Sequence, residues 1–367
     1  MSASIHDVAR LSGVSTATVS RALRGLPTVS ELTRQKVLRA ADSLGYVISS
    51  NASSLSTGRT NAIGVVVPAI NKWFYSSVLE GADQILRNAG YDLIVYNLGG
   101  SEENRQRVFN RAMLRERIDA VLILCRALLE VEQAVIADLH YPSVVVGGRF
   151  DGGISVSIDD GDACRKAIDY LAALGHRRIG FIGGQTDDSS SFSVSRARNE
   201  AFGAAMAEAG LEVDQSHVAY SDFTISGGAR ATEQILSDAG TGAGSGAGTG
   251  TGAGSSTRTG SGMGPGTGRP SAIFAACDEM AFGAVSAARR NGLRVPEDLS
   301  IVGIDNHEAA EALGLTTVAQ DPLGQGAVAA RILLDALSGS EPKPGWIVTP
   351  SELVVRRTAA PINQTRP

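Results

Sequence analysis

The side chains best suited to chemistry stand near the N-terminus, on a short predicted helix that follows Ser15. Val19, Ala22 and Leu23 recur at helical spacing and predict its buried face. The opposite face carries small or hydroxylated side chains and one arginine, namely Thr16, Ala17, Thr18, Ser20 and Arg21. Small side chains permit close approach to a DNA major groove, and arginine suits guanine edges or phosphates. The alternative is an ordinary amphipathic helix whose outer face is only solvated.

Two further helices are predicted to position this face. Ser4 and Asp7 have capping-box spacing ahead of a first helix, which Gly13 ends in the left-handed conformation. Ser30 and Gly45 bound a third helix in the same way. The predicted buried residues are Val8, Ala9 and Leu11 in the first helix and Val37, Ala40, Ala41 and Leu44 in the third. Residues 1–45 therefore predict a three-helix, helix-turn-helix head.

Charge is distributed unevenly along the 367 residues. Residues 1–60 contain seven Lys/Arg against three acidic residues, a net charge of +4. The rest of the chain contains 26 basic and 35 acidic residues, a net charge of −9. A small basic head on an acidic body is typical of a protein whose head binds nucleic acid and whose body does not.

Cysteine and histidine usage gives no sign of metal or catalytic chemistry. Cys125, Cys164 and Cys277 have neither metal-ligand nor redox spacing, so we expect reduced structural thiols. No local motif predicts a Ser/His/Asp set, and we expect no metal site, no cofactor and no enzymatic activity. The N-terminus lacks a signal pattern and no apolar run reaches membrane-spanning length, which predicts a cytoplasmic protein without a membrane partner.

Residues 46–60 change character after the head. They are rich in Ser, Thr and Asn, and Leu55 is the one bulky apolar residue of their second half. The composition favours a flexible linker between domains. The alternative is a hinge helix that forms only on DNA, with Leu55 inserted between base pairs in the minor groove.

From residue 62 onward, short apolar runs alternate with helical patterns. The runs are AIGVVVPAI, YDLIVYNL, IDAVLIL, PSVVVGG, RIGFIGG, HVAYSDF, SAIFAAC and LSIVGID. Nearly continuous apolar strands separated by helices predict parallel sheets that are covered on both faces. Because the pattern comes in two successive series, we predict two doubly wound α/β lobes, with a ligand cleft at the carboxyl ends of their strands.

One segment interrupts this pattern. Residues 239–270 consist almost entirely of Gly, Ala, Ser and Thr and contain 13 of the 43 glycines. Such a composition buries too little apolar surface to order itself. Lengthening a surface loop costs only about 0.6 kcal/mol per doubling, so the fold tolerates it. We predict a disordered loop insertion without chemistry.

Several motifs, in the expected order, resemble the LacI/GalR family of bacterial transcription regulators. They are DVARLSGVSTATVSRAL, VSELTRQKVLRAADSLGY, LSTGRTNAIGVVVP, YLAALGHRRIGFIGG, CDEMAFGAV, VPEDLSIVGID and LTTVAQDPLGQGA. The resemblance covers nearly the whole chain except the insertion. It implies a cytoplasmic, nucleoid-associated homodimer whose recognition helices enter successive major grooves of a near-palindromic, double-stranded DNA operator.

The resemblance also assigns contacts with DNA. It places Thr16, Ala17 and Arg21 at base edges, whereas Ser15, Thr18 and Ser20 suit phosphates, which fix register rather than sequence. Leu55 matches the hinge leucine that opens the central base step. The hinge departs from the usual pattern, because Ser53 stands where arginine is common and Ile48 where proline is common. These departures leave helix formation in the hinge open.

For the body, the resemblance implies a core like the periplasmic sugar-binding proteins, with a small effector between the lobes. The matching positions are Phe74 and Tyr75 in lobe one and Arg198 and Asp278 in lobe two, and Asp305 ends the SIVGID run beside the cleft. An arginine fork and a carboxylate together suit a polyol, and an aromatic ring suits the apolar face of a sugar. A structural ion pair between Arg198 and Asp278, and core packing of the aromatic rings, are the alternatives. Cys277 stands where the family often has asparagine, so the ligand cannot be copied from a relative.

The same resemblance implies that the core, residues 61–358, crosses between lobes three times. The crossings are expected near 158–160, Leu299 and Gln320. Lobe one then comprises about 61–159 and 300–319, and lobe two about 160–298 and 321–358.

We therefore predict a DNA-binding transcriptional repressor controlled by a small effector, a sugar or sugar derivative. Whether the effector induces or co-represses stays open. One alternative is a nucleobase-responsive regulator of the co-repressor type. The other is a solute-binding protein that does not bind DNA, which would need the export signal that this N-terminus lacks.

Overall fold

The structure, a computed structural model, describes residues 3–23, 25–46, 59–99, 102–109, 117–125, 129–150, 152–186, 193–241 and 268–362. Two compact units divide near residue 61, a small head and a core that begins at Ala62. Each unit has its own set of buried hydrophobic residues. None of the helices formed by the described residues is long and apolar enough to cross a membrane.

The head consists of three helices, α1 (Ile5–Ser12), α2 (Thr16–Leu23) and α3 (Glu31–Leu44). Local hydrogen bonds set their ends, as the residue types predict. The Thr18 N–H donates to Ser15 Oγ at 3.1 Å ahead of α2, and Ser30 Oγ accepts from the Thr33 N–H at the start of α3. Gly13 and Gly45 adopt φ values of 65° and 60° and end α1 and α3.

The core of the head differs from the predicted one at its margins. Leu11 is 55% exposed, and Ser12 takes its place in the buried face, where its hydroxyl donates to the Val8 carbonyl at 2.6 Å. Leu44 is also exposed. Tyr46 instead packs on the head, with its N–H on the Ala41 carbonyl at 2.9 Å, so the head continues to residue 46 rather than ending at 45.

Lobe one of the core is built on a wholly parallel, six-stranded sheet. Its strands are β1 (Ala62–Val67), β2 (Asp92–Asn97), β3 (Ala120–Leu124), β4 (Ser143–Val146), β5 (Ile154–Ser157) and β11 (Gly345–Val348), in the order β11-β5-β4-β3-β1-β2. Its helices are α4 (Trp73–Asn88), α5 (Glu102–Val108), α6 (Glu130–Leu139) and α12 (Pro322–Leu337). Every residue of β1 and β3 is buried, as expected for strands covered on both faces.

Lobe two has the same architecture. Its strands are β6 (Ile179–Gly184), β7 (Val218–Ser221), β8 (Ala272–Ala275), β9 (Ser300–Asp305), β10 (Thr316–Ala319) and β12 (Glu352–Val354), in the order β12-β10-β9-β8-β6-β7. Only β12 runs antiparallel to its neighbour among the described strands. Its helices are α7 (Asp160–Ala173), α8 (Ser193–Glu208), α9 (Ile225–Thr241), α10 (Asp278–Arg290) and α11 (Glu308–Leu313).

The chain crosses between the lobes at residues 158–160, 320–321 and 349–351. The expected crossing at Leu299 is wrong, because β9 directly after it pairs with β8 of the same sheet and Leu299 is fully buried. Residues 300–319 therefore belong to lobe two, and residues 322–348 to lobe one, the reverse of the predicted division. The third crossing lies between β11 and β12.

Close helix contacts explain why α12 returns to lobe one. A Cβ on Gly81 of α4 would lie 1.9 Å from the Leu323 carbonyl oxygen, and one on Gly326 would lie 2.1 Å from that of Val78. Each glycine thus lets the backbone of the other helix approach. Lobe two repeats this arrangement, since a Cβ on Gly283 of α10 would lie 2.0 Å from the Ile225 carbonyl oxygen of α9.

Two predicted segments fall largely outside the described residues. Hinge residues 47–58, including Ile48, Ser53 and Leu55, form one, and residues 242–267 of the predicted insertion form the other. The insertion boundaries of 239 and 270 need correction, because residues 239–241 continue α9 and Pro270 is buried next to β8. There the Arg269 carbonyl accepts from Arg178 Nε at 3.3 Å.

Candidate functional site

The outer face of α2 is the first candidate site. Ala17 and Arg21 are exposed one helical turn apart, whereas Val19 and Ala22 are buried in the head. Ser15 is exposed ahead of the helix, and Thr16, Thr18 and Ser20 are half-buried. Thr18 Oγ1 lies 2.9 Å from Ser15 Oγ, so one of these hydroxyls can orient the other. The structure therefore brings together all six predicted contact residues of the head, five on α2 and Ser15 at its N-terminal cap.

A cavity of about 600 Å³ between the two lobes is the second candidate site. Each lobe contributes residues at or just beyond the carboxyl ends of its strands, where doubly wound sheets bind ligands. Lobe one contributes Phe74, Tyr75, Asn97, Cys125, Gly147 and Ser157. Lobe two contributes Gln185, Arg198, Asp222, Phe223, Cys277 and Asp305. Four of the five predicted effector residues thus line one cavity.

The backbone turns sharply where strands reach this cavity. Cys125 after β3, Phe223 after β7 and Asp305 at the end of β9 have φ values of 51°, 56° and 130°. Side-chain-bearing residues rarely adopt these values, which cost of order 1–3 kcal/mol each. Such strained residues cluster at ligand sites, so their concentration here favours binding over mere packing.

An aromatic ring from each lobe lies against a glycine at the cavity. A Cβ on Gly147 would approach the Phe74 ring to 3.1 Å, and a Cβ on Gly184 would approach the Phe223 ring to 2.5 Å. The GFIGG motif, a weak match to a phosphate loop, therefore has another explanation: its last glycine makes room for Phe223. Aromatic faces of this kind suit the apolar face of a sugar or a flat base.

Replacing Gly184 with alanine is expected to displace the Phe223 ring. The new methyl group would also lie 2.4 Å from Ser195 Oγ, so we expect a stability loss of about 1–3 kcal/mol and weaker effector binding. Gly203→Ala in α8 is the matched control, because nothing lies within 4 Å of its Cβ position, and it should be neutral or stabilising. Thermal unfolding with and without an effector measures the stability and the effector binding of each variant. If Gly184→Ala and Gly203→Ala gave equal results, the contact of Gly184 with the Phe223 ring would not matter for the site.

Arg198 is the charged centre of the cavity. It is 5% exposed, its Nε donates to Asp160 Oδ1 at 2.8 Å, and its Nη1 donates to the Ala276 carbonyl. Asp305 Oδ1 lies 3.9 Å from the same guanidinium. Burial alone would lower the pKa of Arg198, but Asp160 and Asp305 raise it above its ordinary value, so the group is always charged.

Asp305 is linked to the second interlobe crossing. Gln320 Nε2 donates to Asp305 Oδ1 at 2.6 Å, and Gln325 Nε2 of α12 in lobe one donates to Gln320 Oε1 at 3.1 Å. Burial raises the pKa of Asp305 to about 6, although Arg198 and Gln320 both act to lower it. The carboxylate is therefore ionised at pH 7 but close to its titration range.

Asp278 does not reach the cavity, which corrects its predicted position. Its side chain is fully buried in lobe two, where Oδ1 accepts from Thr317 Oγ1 at 2.6 Å and Oδ2 from the His307 N–H at 2.8 Å. The alternative of a structural ion pair between Arg198 and Asp278 is also wrong, since Asp160 pairs with the arginine. Burial raises the pKa of Asp278 well above its ordinary value, and the nearby Asp305 charge adds to this.

The cavity contains residues that the sequence did not single out as ligands, chiefly Asp160, Phe223, Glu279 and Lys72. Asp160 was expected only as part of a crossing. The signal for Phe223 was its position after the run HVAYS, because residues that follow parallel strands line such clefts. Lys72 Nζ joins the lobes, donating to the Phe223 carbonyl at 2.6 Å, and the Trp73 ring lies 4.8 Å from that of His307.

Cys277 lines the cavity but directs its sulfur elsewhere. Its Sγ accepts from the Met280 N–H at 3.4 Å and caps α10. All three cysteines are buried free thiols. Burial raises the pKa of the Cys164 thiol to about 12 and raises that of Cys277 as well, so neither is a ready nucleophile.

Comparison with known proteins assigns both parts of the chain. The family model described as bacterial regulatory proteins, lacI family, matches residues 4–49. The model for periplasmic binding proteins and the sugar binding domain of the LacI family matches residues 60–257, and one for a periplasmic binding protein-like domain matches 168–359.

Whole-length relatives agree with these matches. The HTH-type transcriptional repressor PurR of Vibrio campbellii is 32% identical over 370 residues, covering 98% of this chain and 100% of the relative. A structure of the Lac repressor dimer bound to operator and the anti-inducer ONPF has a TM-score of 0.80 and 25% identity, covering 98% of this chain and 100% of that one. The structure of the transcriptional regulator CelR in complex with cellobiose has a TM-score of 0.68 and 28% identity, and the match covers 97% of this chain and 100% of that one.

Proposed function

The chain belongs to the LacI family of bacterial regulatory proteins and is a DNA-binding transcriptional repressor, and we propose that it binds a near-palindromic operator as a homodimer under the control of a sugar-like effector. It is not an enzyme. The observation that carries the proposal is the combination of an exposed α2 face with a cavity between two lobes that the chain joins by three crossings. The family match also removes the alternative of a solute-binding protein without a DNA-binding head.

The α2 face supports base recognition by Thr16, Ala17 and Arg21. Ala17 and Arg21 are exposed side by side, and the alanine leaves space for the arginine to reach a guanine edge. Ser15, Thr18 and Ser20 offer hydroxyls to phosphates, which position the head without reading sequence. We extend the interpretation to Leu55 as the minor-groove residue of the hinge.

Dimerisation is supported by the energetics of a single head. One head with a net charge of +4 gains little affinity at physiological salt, because screening weakens its contacts with phosphates. Two linked heads bind with an effective concentration that multiplies their affinities. The Lac repressor is described as a dimer on its operator, and we infer the same arrangement for this chain.

The cavity supports a small, polar, ring-shaped effector. Phe74 and Phe223 offer aromatic faces, while Asp160, Arg198 and Asp305 offer hydrogen-bonding groups that suit hydroxyls. CelR is described in complex with cellobiose, which favours a carbohydrate here as well. Closure of the lobes on such a ligand would couple to the heads with an energy of about 1–3 kcal/mol.

A nucleobase is the second candidate effector. The specific observation in its favour is that aromatic rings enter the cavity from both lobes, since a flat base can stack on either. Arg198 and Asp305 would then hydrogen-bond to the base edge.

Selection of operators from a random palindromic DNA library tests the DNA-binding proposal. We expect a sequence-specific complex at nanomolar protein that persists at physiological salt and changes in affinity by about 5- to 150-fold with effector. A panel of sugars and nucleobases, scored by thermal shift of the full chain, separates the two effector classes. Absence of any specific complex would overturn the proposal.

A further inference from the structure

The cavity between the lobes is acidic among the described residues. Asp160, Asp222, Glu279 and Asp305 line it with carboxylates, and Lys72 and Arg198 are its cations, which leaves a net charge of −2 when all are ionised. A phosphorylated ligand would add negative charge to this surface. The lining therefore disfavours anions and accommodates a ligand that brings positive charge.

Both cations are already engaged with the protein. Arg198 donates to Asp160 and to the Ala276 carbonyl, as described above. Lys72 Nζ donates to the carbonyl oxygens of Phe223 and Asp222 at 2.6 and 3.3 Å, where it joins lobe one to lobe two. A ligand anion would have to compete with these contacts.

The four carboxylates differ in what they already accept. Asp160 accepts from Arg198, Asp305 accepts from Gln320, and Asp222 Oδ1 accepts from Thr224 Oγ1 at 2.6 Å. Glu279, in the first turn of α10, accepts no hydrogen bond and forms no ion pair with any described residue. It is half-buried at the cavity, and the Lys72 charge acts on it only from a distance.

An unpaired, half-buried carboxylate is costly without a partner. Burial raises the pKa of Glu279, with Lys72 opposing this, and the Glu279 charge also raises the pKa of Asp305. A ligand ammonium between these groups would relieve both effects. A neutral hydroxyl would donate one hydrogen bond but leave the excess negative charge.

We propose that the effector is an amine-bearing ring compound, such as an amino sugar, whose ammonium group lies against the Glu279 carboxylate. Its hydroxyls then suit Asp305 and Asp160, and its apolar face suits Phe74 or Phe223. The inference rests on the proposed function, because it names the ligand class of the same cavity. Glu279 becomes the residue that selects amines over their neutral and phosphorylated counterparts.

The test is a thermal-shift and calorimetry panel on the full chain at pH 7. The panel contains matched triplets, in which one sugar, cyclitol or nucleoside scaffold carries an amine, a hydroxyl or a phosphate; glucosamine, glucose and glucose 6-phosphate form one triplet. We expect an amine-bearing member to be the strongest ligand, with a Kd about tenfold below that of its hydroxyl counterpart and no binding of the phosphate.

Variants then assign the preference to Glu279. In Glu279→Gln the amine preference should fall by about tenfold while binding of the neutral counterpart is retained, which a loss of folding would not produce. Glu311→Gln removes an exposed carboxylate of α11 outside the cavity and should change nothing. The proposal is overturned if no amine binds, if neutral or phosphorylated members bind as tightly, or if Glu279→Gln leaves the preference intact. Operator binding, measured in parallel, reports separately on the proposed function.

Discussion

Arg21→Ala is expected to lower specific operator affinity roughly a thousandfold while leaving effector binding unchanged. A bidentate arginine–guanine contact contributes about 1–3 kcal/mol of discrimination. A dimer loses it at both heads, or about 4 kcal/mol in total, which corresponds to roughly three powers of ten. Arg21 is exposed on α2 and outside the head core, so its removal should not unfold the head.

The measurement is fluorescence anisotropy with the selected operator and with a scrambled duplex, over a range of salt concentrations. Arg10→Ala is the matched control, because it removes an exposed positive charge from α1 but leaves the α2 face intact. We expect Arg10→Ala to lower the affinity for both duplexes modestly and by the same factor. If Arg21→Ala also lowered the affinity for both duplexes by the same factor, Arg21 would contact phosphates rather than base edges.

Arg198→Met is expected to destabilise the core by about 3–5 kcal/mol at pH 7. The change leaves Asp160 and Asp305 in a buried site without their cation, and unpaired buried charges are strongly unfavourable. Effector binding should be lost in the same variant. Because the head has its own cluster of buried hydrophobic residues, we expect its helices to remain folded when the two-lobed unit is destabilised.

The stability of this variant should rise on acidification from pH 7 to 5. Burial raises the pKa of Asp305 to about 6 in the folded chain, above the value of about 3.9 expected when unfolded. The folded state therefore binds a proton that the unfolded state does not, and stability is lost as pH rises through the folded pKa. Arg198 lowers the pKa of Asp305, so removing Arg198 should raise that pKa further. The gain in stability on acidification should then be larger and begin at a higher pH.

Thermal unfolding at pH 5 and 7 checks this prediction. Arg196→Met removes an exposed arginine from the same helix and should have little effect at either pH. Asp160→Asn combined with Arg198→Met should recover a substantial part of the lost stability, because one unpaired charge disappears with it. A pH-independent loss, or no recovery in the double variant, would contradict an electrostatic origin.

The helices of the head could be predicted from the sequence because their ends are local. The caps at Ser15 and Ser30 and the left-handed glycines Gly13 and Gly45 act over three or four residues, within the range that a sequence pattern reports. The family resemblance rested on the same stretch together with motifs further along the chain. The exposed face of α2 followed from helical spacing alone.

The partners of side chains across the core could not be read from the sequence in the same way. Apolar runs predict parallel strands but do not say which sheet a strand joins. The lobe division therefore rested on the family resemblance, which placed the second crossing too early and put β9 and β10 in lobe one and α12 and β11 in lobe two. The packing of α12 on lobe one depends on contacts between distant parts of the chain, such as those of Gly81 and Gly326 with the facing helix and the burial of Ala329 and Leu333 in the lobe-one core.

The motif CDEM shows most clearly where prediction from local sequence ends. Through its family resemblance, the sequence determined that this motif, after the run SAIFAAC, reaches the ligand cleft, and it indicated Asp278 as the carboxylate there. The tertiary structure decided which carboxylate reaches the cleft: successive helix residues point about 100° apart, so Asp278 turns inward to Thr317 and Glu279 faces the cavity. Arg198 is likewise paired by Asp160, 38 residues earlier, because folding brings the first interlobe crossing against α8. Residue spacing determines which way a side chain points from its own helix or strand, whereas the packing of helices and strands determines which side chains meet.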